Sequence, residues 1–174
     1  MLEQMRGLRC FALPSSNLQS RAVHIRDFDV ASADHWGTVA SVLAPWIRIG
    51  AWAALDGPLG AGKTTFVQHL VHQMGGGTAA DVTSPTFALY HDYDTRPPIR
   101  HYDLYRAGHD LQAGEAKAMA GLDWEPQSWD RYFVLVEWSD RLPAYVPPPL
   151  WTLSIRPTSN GGRQARWRLV NPNG

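Results

Sequence analysis

At 174 residues the chain is long enough for one domain with a substantial core and too short for two ordinary ones. Hydrophobic residues at 44% and charged residues at 18%, with 8 Trp and 13 Pro, exclude wholesale disorder and describe a globular protein dense in large rings and fixed turns. Lys plus Arg (16) balances Asp plus Glu (16), no run approaches the roughly 20 apolar residues of a membrane span, and Cys10 is the one cysteine, so a global pull toward nucleic acid, a bilayer helix and a disulfide or thiolate-metal framework are excluded.

The first 25 residues carry Arg6, Arg9 and Arg21, several serines and one acid, Glu3, a weak likeness to an organelle transit peptide. Gly7 and Pro14 break any long amphipathic helix there, so the stretch reads as a flexible N-terminal extension before a single domain over 26–174. Ala22 to Phe28 alternates as a short strand. From Ser32, a suitable N-cap, Trp36, Val39, Ala40 and Leu43 recur at helical spacing until Pro45. Ile49 to Leu55 is a continuous apolar run, the pattern of a strand covered on both faces, and it feeds into Asp56-Gly57-Pro58. Phe66, Val67, Leu70, Val71 and Met74 then form one helical stripe that ends at Gly75-Gly76-Gly77.

Further strands are expected at Phe87 to Tyr93, Ile99 to Tyr105 and Tyr132 to Glu137, with a helix around Leu111 to Ala120 between the last two. Leu150 to Ile155 and Gln164 to Val170 flank the turn Ser159-Asn160-Gly161-Gly162 and form an antiparallel hairpin. Trp151, Leu153 and Ile155 share one face of its first strand, and Ala165, Trp167 and Leu169 one face of its second. Strands and helices mixed in this order give a three-layer α/β domain whose central sheet is flanked by helices.

The segment Gly57-Pro58-Leu59-Gly60-Ala61-Gly62-Lys63-Thr64 matches G-x-x-x-x-G-K-[ST] at every fixed position, follows a buried-type strand and opens a helix. Glycines let the backbone turn with its N–H groups aimed at phosphate oxygens, and the helix adds its positive end. Lys63 supplies a charge to the β- and γ-phosphates, and the Thr64 hydroxyl joins the shell of a Mg2+ ion. The cradle of Gly57, Leu59, Gly60, Ala61, Gly62, Lys63, Thr64 and Thr65 is therefore the phosphate-binding set, with ATP as its ligand.

Tyr132 to Glu137 is an apolar strand ending in an acid, where a phosphate-loop protein needs a carboxylate for the metal or its water, so Glu137 is the candidate; an ordinary strand-end acid is the alternative. The neighbouring Trp138 reads as core. Alternation puts His101, Asp103 and Tyr105 on one side of their strand, with Asp103 either near the γ-phosphate or in a surface ion pair with Arg106. Thr83-Ser84-Pro85-Thr86 has the hydroxyls of a switch loop and the proline of an ordinary turn. Arg156, Arg163, Arg166 and Arg168 make a basic hairpin face, solvated or in contact with phosphate, and His69, His72 and His109 show no metal spacing.

Together these residues resemble the TsaE (YjeE) family, the P-loop ATPase of bacterial tRNA threonylcarbamoyladenosine biosynthesis. The resemblance rests on Gly57 to Thr65, Ser84-Pro85-Thr86-Phe87, His101-Tyr102-Asp103-Leu104-Tyr105-Arg106 and Leu135-Val136-Glu137-Trp138, and spans roughly 29–170. It implies a P-loop NTPase fold in which Lys63 and Thr64 hold phosphates and metal, Glu137 joins magnesium binding and Asp103 lies at the nucleotide. It also implies that Arg163 reaches the nucleotide and that the segment at Asp29 and Val30 lines the adenine side. Pro58 stands where the family commonly has an acid.

The family's activity implies ATP binding and hydrolysis, low without partners, that supports TsaD and TsaB in transferring a threonylcarbamoyl group to adenosine 37 of tRNA. Contact with tRNA is then indirect, no membrane is involved, and the location is cytoplasmic. A small-molecule kinase uses the same loop and acid, and here only Arg106, Arg131 and Arg141 could serve for its arginine-rich lid. A regulatory GTPase lacks its guanine-selecting [NT]-K-x-D sequence.

Overall fold

The computed structural model describes residues 24–77, 90–105 and 129–170. In chain order the described elements are β1 (Ile25–Val30), α1 (His35–Leu43), β2 (Trp52–Asp56), α2 (Lys63–Gln73), β3 (Tyr90–Tyr93), β4 (Ile99–Asp103), β5 (Phe133–Glu137), β6 (Trp151–Pro157) and β7 (Arg163–Leu169). The described strands form one sheet in the order β1-β7-β6-β2-β5-β4-β3. Four central strands run parallel, since β2 pairs with β5 and β6 and β5 pairs with β4. The flanks are antiparallel: β3 on β4, β7 on β6 and β1 on β7.

Burial on both faces explains the apolar central strands. In β2, Ala53 and Leu55 enter the core beneath α1 and α2, while Trp52 and Ala54 enter a second core on the opposite face; Phe133 with Leu135 and Val134 with Val136 divide β5 in the same way. Such continuous burial is what parallel strands require. The first face is covered by Trp36, Val39, Ala40 and Leu43 of α1 and by Phe66, Val67, Leu70 and Val71 of α2. Trp36 meets Phe66 edge-on with ring centres 5.8 Å apart. On the second face Tyr102, Leu104 and Trp129 pack with β2 and β5, and Trp138, Leu142 and Val146 close over them.

Local signals account for the ends of the helices. The N-cap of α1 is Asp34 rather than Ser32, and no side chain caps the helix; Ser32 lies in the turn before it, where its N–H donates to His35 Nδ1 at 3.2 Å. At the far end of α2 the Gly76 N–H bonds to Val71 O and the Gly75 N–H to His72 O, with Gly75 at φ +84°. That is the Schellman arrangement, so the glycines end the helix as their positions predict.

The strand boundaries shift from the expected ones for reasons of pairing. β1 begins at Ile25 rather than Ala22 and runs on to Val30, because its ladder with β7 extends from Ile25↔Arg168 to Val30↔Arg163. β2 begins at Trp52 rather than Ile49, since Gly50 turns at φ +77°. The hairpin holds its expected faces, with Trp151, Leu153, Ile155, Ala165, Trp167 and Leu169 all buried. The N-terminal extension up to residue 23, the Thr83-Ser84-Pro85-Thr86 loop, residues 87–89 of one expected strand, Arg106 and the Leu111 to Ala120 helix lie outside the described residues.

Candidate functional site

β2 delivers the chain at Asp56 into the glycine loop, and two glycines there are dictated by space. A Cβ at Gly57 would stand 2.6 Å from the Ile155 carbonyl oxygen of β6, and one at Gly62 would stand 3.2 Å from the Trp36 ring. Gly62 also turns at φ +105°, which L side chains rarely adopt. Immediately after it α2 begins at Lys63 with no side-chain hydrogen bond capping its first turn. The free N–H groups and the helix dipole thus present a positive end at the loop. Pro58, Leu59 and Gly60 form the exposed rim, while Ala61 is fully buried and Thr65 half-buried.

Lys63 folds back over this loop. Its Nζ donates to Gly57 O at 2.8 Å and to Pro58 O at 3.1 Å, and it lies 4.3 Å from the centre of the Trp138 ring. Burial holds the ammonium below its ordinary pKa, and the carboxylates of Glu137, Asp103 and Asp56 oppose that shift. The residue is 4% exposed. A buried amine held by two neutral carbonyls has more to gain from an anion than from its present partners.

The buried acid of the site is Glu137, at the carboxyl end of β5. Its Oε1 accepts the Thr64 hydroxyl at 2.8 Å and His101 Nε2–H at 3.0 Å. Asp103 ends the neighbouring β4 in register with Glu137, and its Oδ1 accepts the Tyr105 N–H at 2.9 Å. Lys63, Thr64, Glu137 and Asp103 therefore gather at the carboxyl ends of three adjacent parallel strands, the place where open α/β sheets bind ligands. Asp56, at the end of β2, accepts Ser139 Oγ–H at 3.3 Å. Burial raises its carboxyl above the ordinary value, against the lowering effect of that hydrogen bond.

Arg163, at the start of β7, ties the hairpin to the loop. Its guanidinium donates from Nε to Ala61 O at 3.1 Å, from one terminal nitrogen to Gly161 O and Gly162 O of the hairpin turn at 2.9 Å each, and from the other to Gly60 O at 3.3 Å. Val30 pairs with Arg163 across the sheet, but its side chain is 2% exposed within the core, so it can offer a ligand its main chain only. The remaining hairpin arginines divide: Arg166 forms a forked pair with Asp27 at 2.7 and 3.1 Å on the outer surface, and Arg156 and Arg168 are exposed. Arg141 is committed to the carbonyls of Leu104 and Tyr105.

Oxygen donors at Thr64 and Glu137 suit a hard cation such as Mg2+. Among the described residues no group of three or more His, Cys, Asp or Glu could hold a metal by itself. A cation here needs further oxygens from a phosphate ligand and water, as Mg2+ sites on nucleotides do. A separate cavity of about 790 Å³ opens beside Gly57 and Pro58 on the second face of the sheet, walled by Trp52, Trp138, Pro147 and Arg156. Lys63, Thr64 and Glu137 do not line it.

Sequence reasoning singles out Lys63, Thr64, Asp103 and Glu137, which the fold brings together, and it misses three neighbours. Trp138, read as core, packs on the second core but also lies against the Lys63 ammonium, with its backbone at φ 61°. His101 is visible in the sequence only as a residue on the same strand side as Asp103, and Asp56 only as the last residue before the loop. Their partners come from other strands, which local pattern does not reveal.

The family model described as threonylcarbamoyl adenosine biosynthesis protein TsaE matches residues 30–165. The TsaE protein of Treponema pallidum is 32% identical over 134 residues, covering 74% of this chain and 87% of that protein. The TsaE protein of Nostoc is 35% identical over 126 residues, covering 71% and 74%. In three dimensions the crystal structure of Bacillus subtilus YdiB superposes with a TM-score of 0.63 at 22% identity, over 87% of this chain and 89% of that one, a likeness of fold.

Proposed function

This chain belongs to the TsaE family, and from that premise we infer that it is a magnesium-dependent ATPase serving tRNA threonylcarbamoyladenosine biosynthesis. The observation that carries this reading is the convergence of an uncapped helix start, the Lys63 ammonium and the Thr64–Glu137 pair at one end of the parallel strands. Backbone N–H groups from Gly57 to Thr65 hold the phosphates. Lys63 exchanges its two carbonyl partners for β- and γ-phosphate oxygens, trading neutral acceptors for charged ones. Thr64 and Glu137 hold Mg2+, which when bound neutralises charge on the triphosphate.

Asp103, one strand from Glu137, orients a water for in-line attack on the γ-phosphorus. The new P–O bond forms as the bond to the β-phosphate oxygen breaks, giving ADP and phosphate. Arg163 keeps the loop in shape and lies toward the nucleotide, and the Val30 main chain borders the adenine side. Catalysis of this kind is mostly placement of charge. The reading carries with it homologues of TsaD and TsaB as partners, tRNA engaged through them, low turnover alone and a cytoplasmic location. Among the described residues no helix is long and apolar enough to cross a membrane.

The test is ATP turnover by the purified chain with and without TsaD and TsaB homologues. Phosphate release that rises when the partners are added is the expected result. Transfer of phosphate to a metabolite, or no ATP consumption in either setting, overturns the reading.

A further inference from the structure

His101 is buried and directs a hydrogen bond to Glu137, inside the site. It is 0% exposed, and its Nε2 lies 3.0 Å from the same Glu137 oxygen that accepts the Thr64 hydroxyl. A carboxylate only accepts, so Nε2 carries the hydrogen. Among the described residues Nδ1 has no hydrogen-bond partner, so the Nε2–Glu137 contact is the hydrogen bond that orients the ring. The Tyr93 ring lies beside the imidazole, with an interplanar angle of 27° and ring centres 6.4 Å apart.

We propose that His101 is a positioning residue for the cation ligands: its Nε2–H fixes Glu137 Oε1 where it takes the Thr64 hydroxyl hydrogen, leaving the Thr64 oxygen lone pairs for Mg2+. The hydrogen-bond chain runs from His101 to Glu137 and from Thr64 to Glu137, so one acceptor oxygen sets both donors. Without His101 the carboxylate can turn, and Thr64 Oγ1 is no longer held with its lone pairs free. Groups that orient metal ligands from behind typically matter about 10- to 100-fold in metal affinity. This inference rests on the nucleotide-site reading above.

Two amides separate a donor role from a packing role. In His101→Gln the side-chain N–H₂ reaches the place of Nε2; in His101→Asn it stops near the place of Nδ1. Calorimetry with a non-hydrolysable ATP analogue, in Mg2+ and in EDTA, measures the gain in affinity that the cation confers. His101→Asn is expected to lose about tenfold of that gain while its affinity in EDTA stays within about threefold of wild type, and His101→Gln to keep most of the gain. If Asn lowers the melting temperature into the assay range, His101→Phe, which fills the space without a donor, carries the same expected loss. Equal gains in wild type and in the donor-less variants, or equal losses in Asn and Gln, overturn the proposal. A wild-type chain that binds no analogue overturns the nucleotide-site reading instead.

Discussion

Replacing Thr64 by Val keeps the shape of the side chain and removes one hydroxyl. In the folded protein that hydroxyl donates at 2.8 Å to Glu137, which is 3% exposed. Hydrogen bonds to a charged group contribute about 1.5–3 kcal/mol. Glu137 keeps its His101 donor, so the loss falls at the low end, about 1.5 kcal/mol. For a chain of this size each kcal/mol moves the melting temperature by about 2–4 °C, so Thr64→Val should melt about 3–6 °C lower without nucleotide. Thr64→Ser, which keeps the hydroxyl, should retain most of the stability. Thermal unfolding followed by circular dichroism decides this: a Val variant melting within about 1 °C of wild type, or a Ser variant falling as far, refutes the argument that the hydrogen bond to Glu137 stabilises the loop.

Other substitutions test neighbouring links. Gly57→Ala forces a Cβ into a 2.6 Å approach to Ile155 O, so loop and β6 must part, and urea unfolding should show a loss of about 1–3 kcal/mol; an unchanged midpoint contradicts it. Burial, then the Glu137 charge, pushes the Tyr93 phenol up to about 12, and its hydroxyl has no partner among the described residues. The neutral phenol therefore contributes stability that is full below about pH 10 and lost as pH rises toward 12. Tyr93→Phe should be neutral or stabilising at pH 7 and should hold its stability better at pH 11; a loss above about 1 kcal/mol at pH 7 contradicts this. Asp56 has a raised pKa from burial, so its contribution is full below the unfolded value of about 3.9 and is lost as pH rises through the folded one. Asp56→Asn should thus be more stable than wild type at pH 7, with the difference vanishing near pH 3; a less stable variant at pH 7 contradicts the burial argument.

Much of the architecture is legible in the sequence because the signals are local and consistent. Strand alternation assigns the inward faces of the hairpin, the apolar run before Asp56 announces a strand buried twice over, and the glycines after Met74 end α2 where they stand. The geometry of the glycine loop is legible from spacing, because its backbone turn, lysine and hydroxyl all lie within one short segment. What is not legible depends on register between distant segments. His101 meets Glu137 only because β4 and β5 pair in parallel, and Trp138 meets Lys63 only because the chain turns at φ 61° directly after β5. Arg163 needs the β1–β7 ladder and the hairpin turn to reach Gly60 and Ala61, which no single-segment pattern encodes.

The central claim is that the loop from Gly57 to Thr65 grips the phosphates of ATP. Titration calorimetry of a non-hydrolysable ATP analogue into the wild-type chain and into Lys63→Ala tests it most directly. The expected result is binding by the wild type and an affinity weaker by at least about tenfold in the variant, since a charge-assisted contact is lost. Equal affinity in both would contradict it.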